Sequence, residues 1–592
     1  MPHETRRAAR EAAAHSTQRA TPAGRPAQRR RRRRAVWITL ALILIVLLAL
    51  LAWLGFRALT VKNELTEAQQ LVTSLDDGTP VGERIERVGD HAEAAAQAAA
   101  DPVWRAFEFV PFVGDNLRAV RLASEALDLL ANDVGAPALA AMTDEGEGSP
   151  LVRILPILEQ QTPAVTAMAD EVAEASRSGA LIGQVRSGID QVDAVLQAAA
   201  PALQVVPSLL GADGAKNYLL VFQNNAESLP LGGSAASQTL VSADGGNIAI
   251  TGQASSASFD NGRAVDVAVD QSALDLYSSY LIDHVNTATS RPDFPTAAQI
   301  LRAFWQRDIA PDQIDGVVSI DPIALGRILL ATGPIQAGDV EITSENAVSI
   351  LLSQVYTWWN PYASKEQALA SDAFFAGVAQ SMFTQISTGS FDLKDMAWAV
   401  NESIAQGDIM LWSDDPQVAE FISGQRVAGV LPTDNHDQTT VGVFFRDTSA
   451  SKIDYYMDSS VTLGEVCDAG QSTFTASATL HLNIDQAAAD ALPAYVKSYA
   501  WGATKFRTEV FVYGPPGTTF ADASVEGAAV KPFNTDVTDL GRPVAAFETY
   551  LAPGATATVT ATFAGVGSFG PLELRSTPMI RPTVTSIESA CG

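Results

Sequence analysis

The chain has 592 residues, 47% hydrophobic and 18% charged, and a net charge of −28. That length exceeds what one hydrophobic core serves, so several folded units are expected, and so much apolar surface excludes a chain that is disordered throughout. The charge is unevenly placed: residues 1–57 carry 12 arginines against 2 glutamates, so the acidic remainder stands at −38, which repels phosphate backbones and excludes nucleic acid as its partner.

In chain order, residues 1–34 are rich in Arg, Ala, Pro and Gln and are expected to form a basic, solvated, cytoplasmic tail. Six arginines at 29–34 abut residues 35–56, a run of 22 without a charge. At about 1.5 Å per residue this run crosses a hydrocarbon core of about 30 Å. The arginine flank places the N-terminus in the cytoplasm, and the run is longer than the apolar region of a cleaved signal and lacks an A-x-A site. An uncleaved signal anchor in the cell membrane is therefore expected, with the bulk of the chain outside and Trp37 and Trp53 at the two interfaces.

Beyond the span, Val61, Leu65, Ala68, Val72 and Leu75 follow at spacings of 4, 3, 4 and 3, and Val185, Ile189, Val192 and Leu196 at 4, 3 and 4. These are helical seams. Residues 57–208 read as antiparallel helices forming a stalk or bundle, with turns at Gly78, Pro80, Pro111, Gly114 and 144–150. Such a stalk serves either as an intramolecular bundle or as the seam of a homo-oligomer.

The texture changes at Gly211. Residues 218–222 (YLLVF) read as a buried strand, with further strands at 247–251, 265–269 and 316–320 and helices at 296–307, 323–330, 344–356 and 372–386. Their alternation predicts an α/β or α+β domain over 209–435. From 436 to 592 short alternating runs such as TFTASATLHLNI and TATVTATFAG, separated by turn-rich spacers, predict a β-sandwich. The expected fold is thus a membrane-anchored multidomain chain with one transmembrane helix, a helical bundle, an α/β centre and a C-terminal β-sandwich.

Motifs that carry chemistry are scarce. The six histidines fit no metal-ligand spacing, and no phosphate loop or nucleophile elbow exists, so neither a metal nor a cofactor is expected. Ser449-Ala-Ser-Lys452 matches S-x-x-K but falls between two strands instead of opening a helix. Asp76 with Asp77, and Asp414 with Asp415, sit beside Gly or Pro as solvated turns do. Cys467 and Cys591 both lie in the exported part, where they either bridge the last segment to an earlier strand or remain thiols. The densest polar segment follows the 218–222 strand: Gln223, Asn224, Asn225 and Glu227, then Pro230, Gly232 and Gly233. The C-terminal end of a strand is where α/β folds place binding groups, and the same residue types equally build a tight turn.

This segment also carries a resemblance. FVPFVGDNLRAV (109–120), NYLLVFQNNAE (217–227) with the following Gly pair, DFP (293–295), IDGVVSIDPIALGRILLATGPI (314–335) and TSENAV (343–348) resemble the DUF4012 family of uncharacterised bacterial envelope proteins over roughly residues 100–460. The resemblance implies an envelope protein with a binding or structural role; the residues at the strand end, Asn224, Asn225, Glu227, Gly232 and Gly233, together with Asp315 and Asp321, are the candidate binding residues. The family pattern E-L-R-x-x-G-G would put an arginine where this chain has Leu229. A shorter similarity, of 314–335 to the LytR-CpsA-Psr phosphotransferases, implies a transferase or binder of a lipid-linked saccharide or cell-wall glycopolymer. Asp315, Asp321, Arg263, Arg302 and Arg327 would then clamp a pyrophosphate. That reading requires an apolar tunnel beside 218–233 and 315–335, and the R-x-R signature of those enzymes is missing after Tyr356.

Overall fold

The computed structural model describes residues 27–591 apart from 74–79, 145, 147, 390, 469 and 531. The tail before residue 27, Leu75, Asp76, Asp77 and Gly78 lie outside the described residues.

Helix α1 (Ala27–Thr73) runs 47 residues without a break. From Val36 to Leu48 its large apolar side chains are exposed, with no other element among the described residues to cover them. A helix satisfies its own backbone groups, which is what a bilayer interior demands of a segment of this composition. Below Leu51 the same helix becomes a bundle member, burying Leu54, Val61, Ala68 and Leu71. Leu71 takes the seam position that a strict 4-3-4 spacing assigns to Val72, because a straight helix of 3.6 residues per turn drifts against a heptad.

Helix α2 (Val81–Ala99) packs antiparallel to α1, as the contacts of His91 with Glu64 (2.7 Å) and of Trp53 with Asp101 (3.0 Å) show. The short α3 (Pro102–Phe107) makes a corner, and α4 (Gly114–Asp128) runs back and passes through a π-helical turn (Leu129–Gly135) into α5 (Ala136–Thr143). At that turn Asn132 donates to the Gly89 carbonyl (3.1 Å), and a Cβ on Gly89 would meet the Asn132 Oδ1 at 2.1 Å. Helices α6 (Pro150–Ser176) and α7 (Gly183–Leu209) complete the bundle. Although α7 is also long and apolar enough to cross a bilayer, Ile189, Val192, Leu196 and Leu203 are buried in the bundle core.

Strand β1 (Lys216–Leu229) pairs antiparallel with β2 (Gly232–Asp244) and parallel with β4 (Gly316–Ile320). With β3 (Asn247–Ser255) and β7 (Ile409–Ser413) at the edges, the mixed sheet has the order β3-β2-β1-β4-β7. Strands β5 (Ile335–Ala337) and β6 (Val340–Ile342) form a separate hairpin. Residues 265–269, expected as a strand, have no regular structure: Val265 donates to the Ile282 carbonyl and dips into the core, so its apolarity reflects a buried loop. The helix expected over 344–356 is broken into Ala347–Ser349, a π-helical turn Ile350–Gln354 and Val355–Trp358.

The rest of the chain builds two five-stranded sheets. One, ordered β12-β15-β10-β9-β17, uses β9 (Met457–Asp468), β10 (Gln471–Leu482), β12 (Thr519–Gly527), β15 (Thr556–Gly565) and β17 (Val584–Ser589). The other, ordered β13-β14-β11-β8-β16, uses β8 (Thr439–Asp447), β11 (Phe506–Tyr513), β13 (Asn534–Asp539), β14 (Arg542–Leu551) and β16 (Leu572–Ser576). Val443, Phe445, Val510 and Val512 of the second sheet share a core with Val461, Leu463 and Val559 of the first. Their alternate neighbours Phe444, Phe511 and Tyr513 point the other way, into the core of the central region beside Leu219, Phe294 and Trp305. The second sheet is therefore a middle layer buried on both faces, which is why β8 reads VGVFF without the polar alternation seen in β10. Cys467, near the end of β9, and Cys591, just past β17, form a disulfide with Cα atoms 5.3 Å apart.

Candidate functional site

The polar segment at the C-terminal end of β1 is a buried junction. Bulges after Phe222 and Asn224 break the pairing with β2, and the two-residue turn Pro230-Leu231 brings the chain straight back. Gly232 and Gly233 open β2, lying beside the bulged backbone. Gly232 has φ +124, and a Cβ on Gly233 would sit 2.2 Å from the Asn224 carbonyl oxygen. The glycines thus serve close backbone approach. The Gln223 side chain closes the loop by accepting from the Gly233 N–H (2.7 Å).

The other groups in the segment bond one another or distant parts of the chain, except the Asn225 Oδ1, which is buried without a hydrogen-bond partner among the described residues. Asn224 donates to the Tyr356 hydroxyl (2.8 Å) and accepts from the Ala226 N–H. Asn225 donates to Asp321 (2.7 Å) and to the Pro578 carbonyl (3.2 Å). Glu227 accepts from Ser234 and forms an ion pair with Lys452, whose ammonium also lies 4.2 Å from the ring centre of Tyr495 and 5.0 Å from that of Tyr356. Ser228 donates through both its N–H and its hydroxyl to Asp454.

Burial sets the electrostatics here, because a charge removed from water favours its neutral form. It pulls the Lys452 ammonium down to about 7, against the adjacent Glu227 carboxylate, which favours the charged form. It pushes the Asp454 carboxyl up to about 8, reinforced by the nearby Asp447. Asp321 is raised well above the carboxylate range by burial and by Asp408. Asp321 also caps helix Pro322–Thr332 by accepting from the Ile323 and Ala324 N–H groups (3.0 and 2.8 Å). Asp408 is raised by burial as well, and Arg327 opposes that shift by pairing with it.

The candidate residues do not all converge. Asn224, Asn225, Glu227, Gly232, Gly233 and Asp321 meet at this junction, whereas Asp315 lies at the opposite end of β4, about 20 Å along the strand. There it accepts from the Asn217 N–H (2.7 Å) and from Gln313 (2.9 Å). Arg302 is with Asp414 and stacks on Trp412, Arg263 pairs with Asp260 and Asp308 near the surface, and only Arg327 approaches the junction. These groups form no pyrophosphate clamp, because polar residues at the two ends of one strand point into different surroundings. The cavity beside the junction, lined by Pro230, Leu231, Arg426 and Pro578 among others, holds about 30 Å³, room for a water but not for a polyprenyl chain.

Lys452, Asp454, Asp408 and Tyr356 belong to this junction and were not among the residues expected from the sequence. The S-x-x-K match did single out Lys452, but Ser449 bonds Asp447 and Ser451, so serine and lysine act separately. The run KIDYYM, two charges inside an apolar stretch, was the signal for Asp454; Asp408, just past the glycine that ends helix Leu393–Gln406, offers none. Where the family pattern places an arginine, Leu229 is buried, and the cation beside Glu227 comes from Lys452 instead. Asp415 caps helix Pro416–Ile422, in keeping with a turn. At Glu465, Cys467 and Cys591, the described residues closest to a metal-ligand set, both sulfurs are spent on the disulfide.

Residues 213–356 match the model of a family described as a protein of unknown function (DUF4012), a span that includes β1, β2, β4 and Tyr356. No curated protein matches the chain.

Proposed function

We propose that this chain, whose residues 213–356 match the DUF4012 family model, is a single-pass envelope protein with its N-terminus in the cytoplasm and a large non-catalytic body outside the membrane. The observation that carries this is α1: an exposed apolar segment that continues, as one helix, into the core of the bundle, so that the anchor and the body are mechanically one piece. The arginine block before it favours this orientation, and the Cys467–Cys591 disulfide suits an oxidising compartment. We read the two C-terminal sheets as a β-sandwich locked to the α/β region by the second sheet.

The role we assign is binding or structural. Most polar groups at the end of β1 are bonded internally, and the contacts of Asn225 with Pro578, Glu227 with Lys452 and Ser228 with Asp454 serve as the latch between central and C-terminal regions. The transferase reading has no comparable support, since the cavity at that place is too small for its lipid.

Two measurements test this. Intact cells are treated with a membrane-impermeant reductant and then with an impermeant maleimide. Labelling of Cys467 and Cys591 is expected, and protection that persists until lysis would reverse the orientation. Separately, the purified body is incubated with lipid-linked saccharide, where turnover would overturn the non-catalytic assignment.

A further inference from the structure

The loop between α3 and α4 is built as a rigid apolar tip. Phe109 and Phe112 are 90% and 84% exposed, with Val110 and Val113 beside them. Phe112 holds φ +67, unusual for a bulky residue, and keeps its ring outward. Gly114 closes the loop, its N–H bonding the Val110 carbonyl (2.8 Å), and a Cβ there would meet the Glu108 carbonyl oxygen at 1.9 Å. Arg121 clamps the loop's base through Glu108 (2.7 Å) and is itself held by Glu125 (2.7 Å).

The position of this tip says what covers it. Asp101, at the start of α3, accepts from both Trp53 (3.0 Å) and Arg57 (3.2 Å), which stand where the apolar run of α1 ends. Trp104 of α3 packs with Leu54 and Val61 in the same cluster and donates to the Leu117 carbonyl (3.0 Å). Asn116 bonds Ala180 and Ile182 in the turn between α6 and α7, and Ile182 is also exposed. Trp53 and Phe56, the loop 109–113 and Ile182 are thus all exposed and tied to the end of the bundle from which the apolar helix emerges.

We propose that residues 109–113, with Ile182, insert into the outer leaflet around α1 and seat the bundle on the bilayer surface. The lipid face is favoured because the tip is continuous with the apolar segment of α1. Most nearby charges are matched in pairs, Arg57 with Asp101, Arg121 with Glu108 and Arg118 with Glu174, and Asp115 beside the tip accepts from the Ser178 hydroxyl, so insertion depends on apolar contact and not on anionic headgroups. Two aromatic rings at this level fit the interfacial zone where such rings accumulate. A body fixed at two points, helix and tip, stands at a set angle to the membrane.

This inference rests on the anchor reading, and its test separates the two. The full chain, its own cysteines kept in the disulfide, receives one new cysteine at a time: Val46→Cys in the apolar segment, Phe112→Cys at the tip or Val72→Cys further up α1. Each carries an environment-sensitive fluorophore in phosphatidylcholine vesicles containing brominated lipid. Loss of emission is expected at 46 and 112 but not at 72, with 112 quenched more by bromines near the ester end of the acyl chain than by those near the methyl end, and unchanged by salt. Quenching at 46 alone overturns the inference and leaves the anchor standing; quenching at neither removes both. Shielding of 112 that grows with protein concentration and ignores bromine would assign the tip to a second copy of the chain, against the proposal.

Discussion

Lys452 shows how a single residue can join two regions of a chain. Its buried ammonium lies over the rings of Tyr356 and Tyr495 and meets Glu227, which keeps 25% of its side chain exposed. Replacing Lys452 by Met keeps the length but strands the carboxylate; the cost should be about 2 kcal/mol in urea unfolding, below the 3–5 of a fully buried pair because Glu227 still reaches water. The buried carboxyls give a second prediction. Asp454 is raised by burial from 3.8 to about 8, so between those values the folded chain holds a proton that the unfolded chain has released. Stability then falls as pH rises through that window, with a slope of at most about 1.4 kcal/mol per pH unit from this group. Asp321 and Asp408, also raised, add in the same direction. Unfolding midpoints should be higher at pH 5 than at pH 7, short of the range above about 7 in which the lowered Lys452 adds the opposite slope, and Asp454→Asn should flatten the dependence; a midpoint that rises over that interval would contradict these assignments.

At the scale of elements, the β1–β2 hairpin depends on glycine for space and α7 does not. Gly233→Ala drives a methyl into the Asn224 and Asn225 backbone and should cost about 3 kcal/mol or more, because backbone cannot rotate out of the way. Gly188→Ala, exposed in the interior of α7 with nothing within 4 Å, should stabilise by about 0.5–1 kcal/mol. Thermal unfolding of the two variants gives opposite signs if the packing is as described. Strand β17 makes a different case. All six of its residues are exposed, so parallel pairing with β9 and the disulfide are what hold it. Reduction should release residues 584–591 to protease while the two-sheet core stays intact; a C-terminus that remains protected after reduction would show that pairing alone suffices.

At the scale of the molecule, the boundary between the exposed apolar run and the bundle falls inside a helix. Leu54, within the apolar run, is buried in the bundle, and Trp53 bonds Asp101. A chain beginning at residue 57 should therefore be less stable than one beginning at residue 50 by at least the burial of Leu54, about 1.5–3 kcal/mol, measurable by comparing unfolding midpoints. The central and C-terminal regions likewise share a core and several polar ties. Arg291 binds Asp539 (2.7 Å) and Arg446 donates to the Tyr277 carbonyl (3.1 Å), so cutting between them exposes apolar surface on both sides.

Much of this architecture was legible from local pattern. The apolar 22-residue run, the helical seams through Val61 and Ile189, the strand at 316–320 and the alternating runs after residue 436 follow from side-chain period and length, which depend on near neighbours along the chain. The strand forecast at 265–269 failed because an apolar loop entering a core has the same composition as a strand. The candidate site was half legible: amides, a carboxylate and glycines marked the end of β1 as unusual. Their partners Lys452, Asp454, Tyr356 and Pro578 stand 130 or more residues away, and only the packed fold brings them within bonding distance. Composition and period thus set which segments are helix, strand and long apolar run. Whether the polar end of β1 faces a ligand or another part of the same chain depended on long-range packing, to which the pattern of near neighbours is blind.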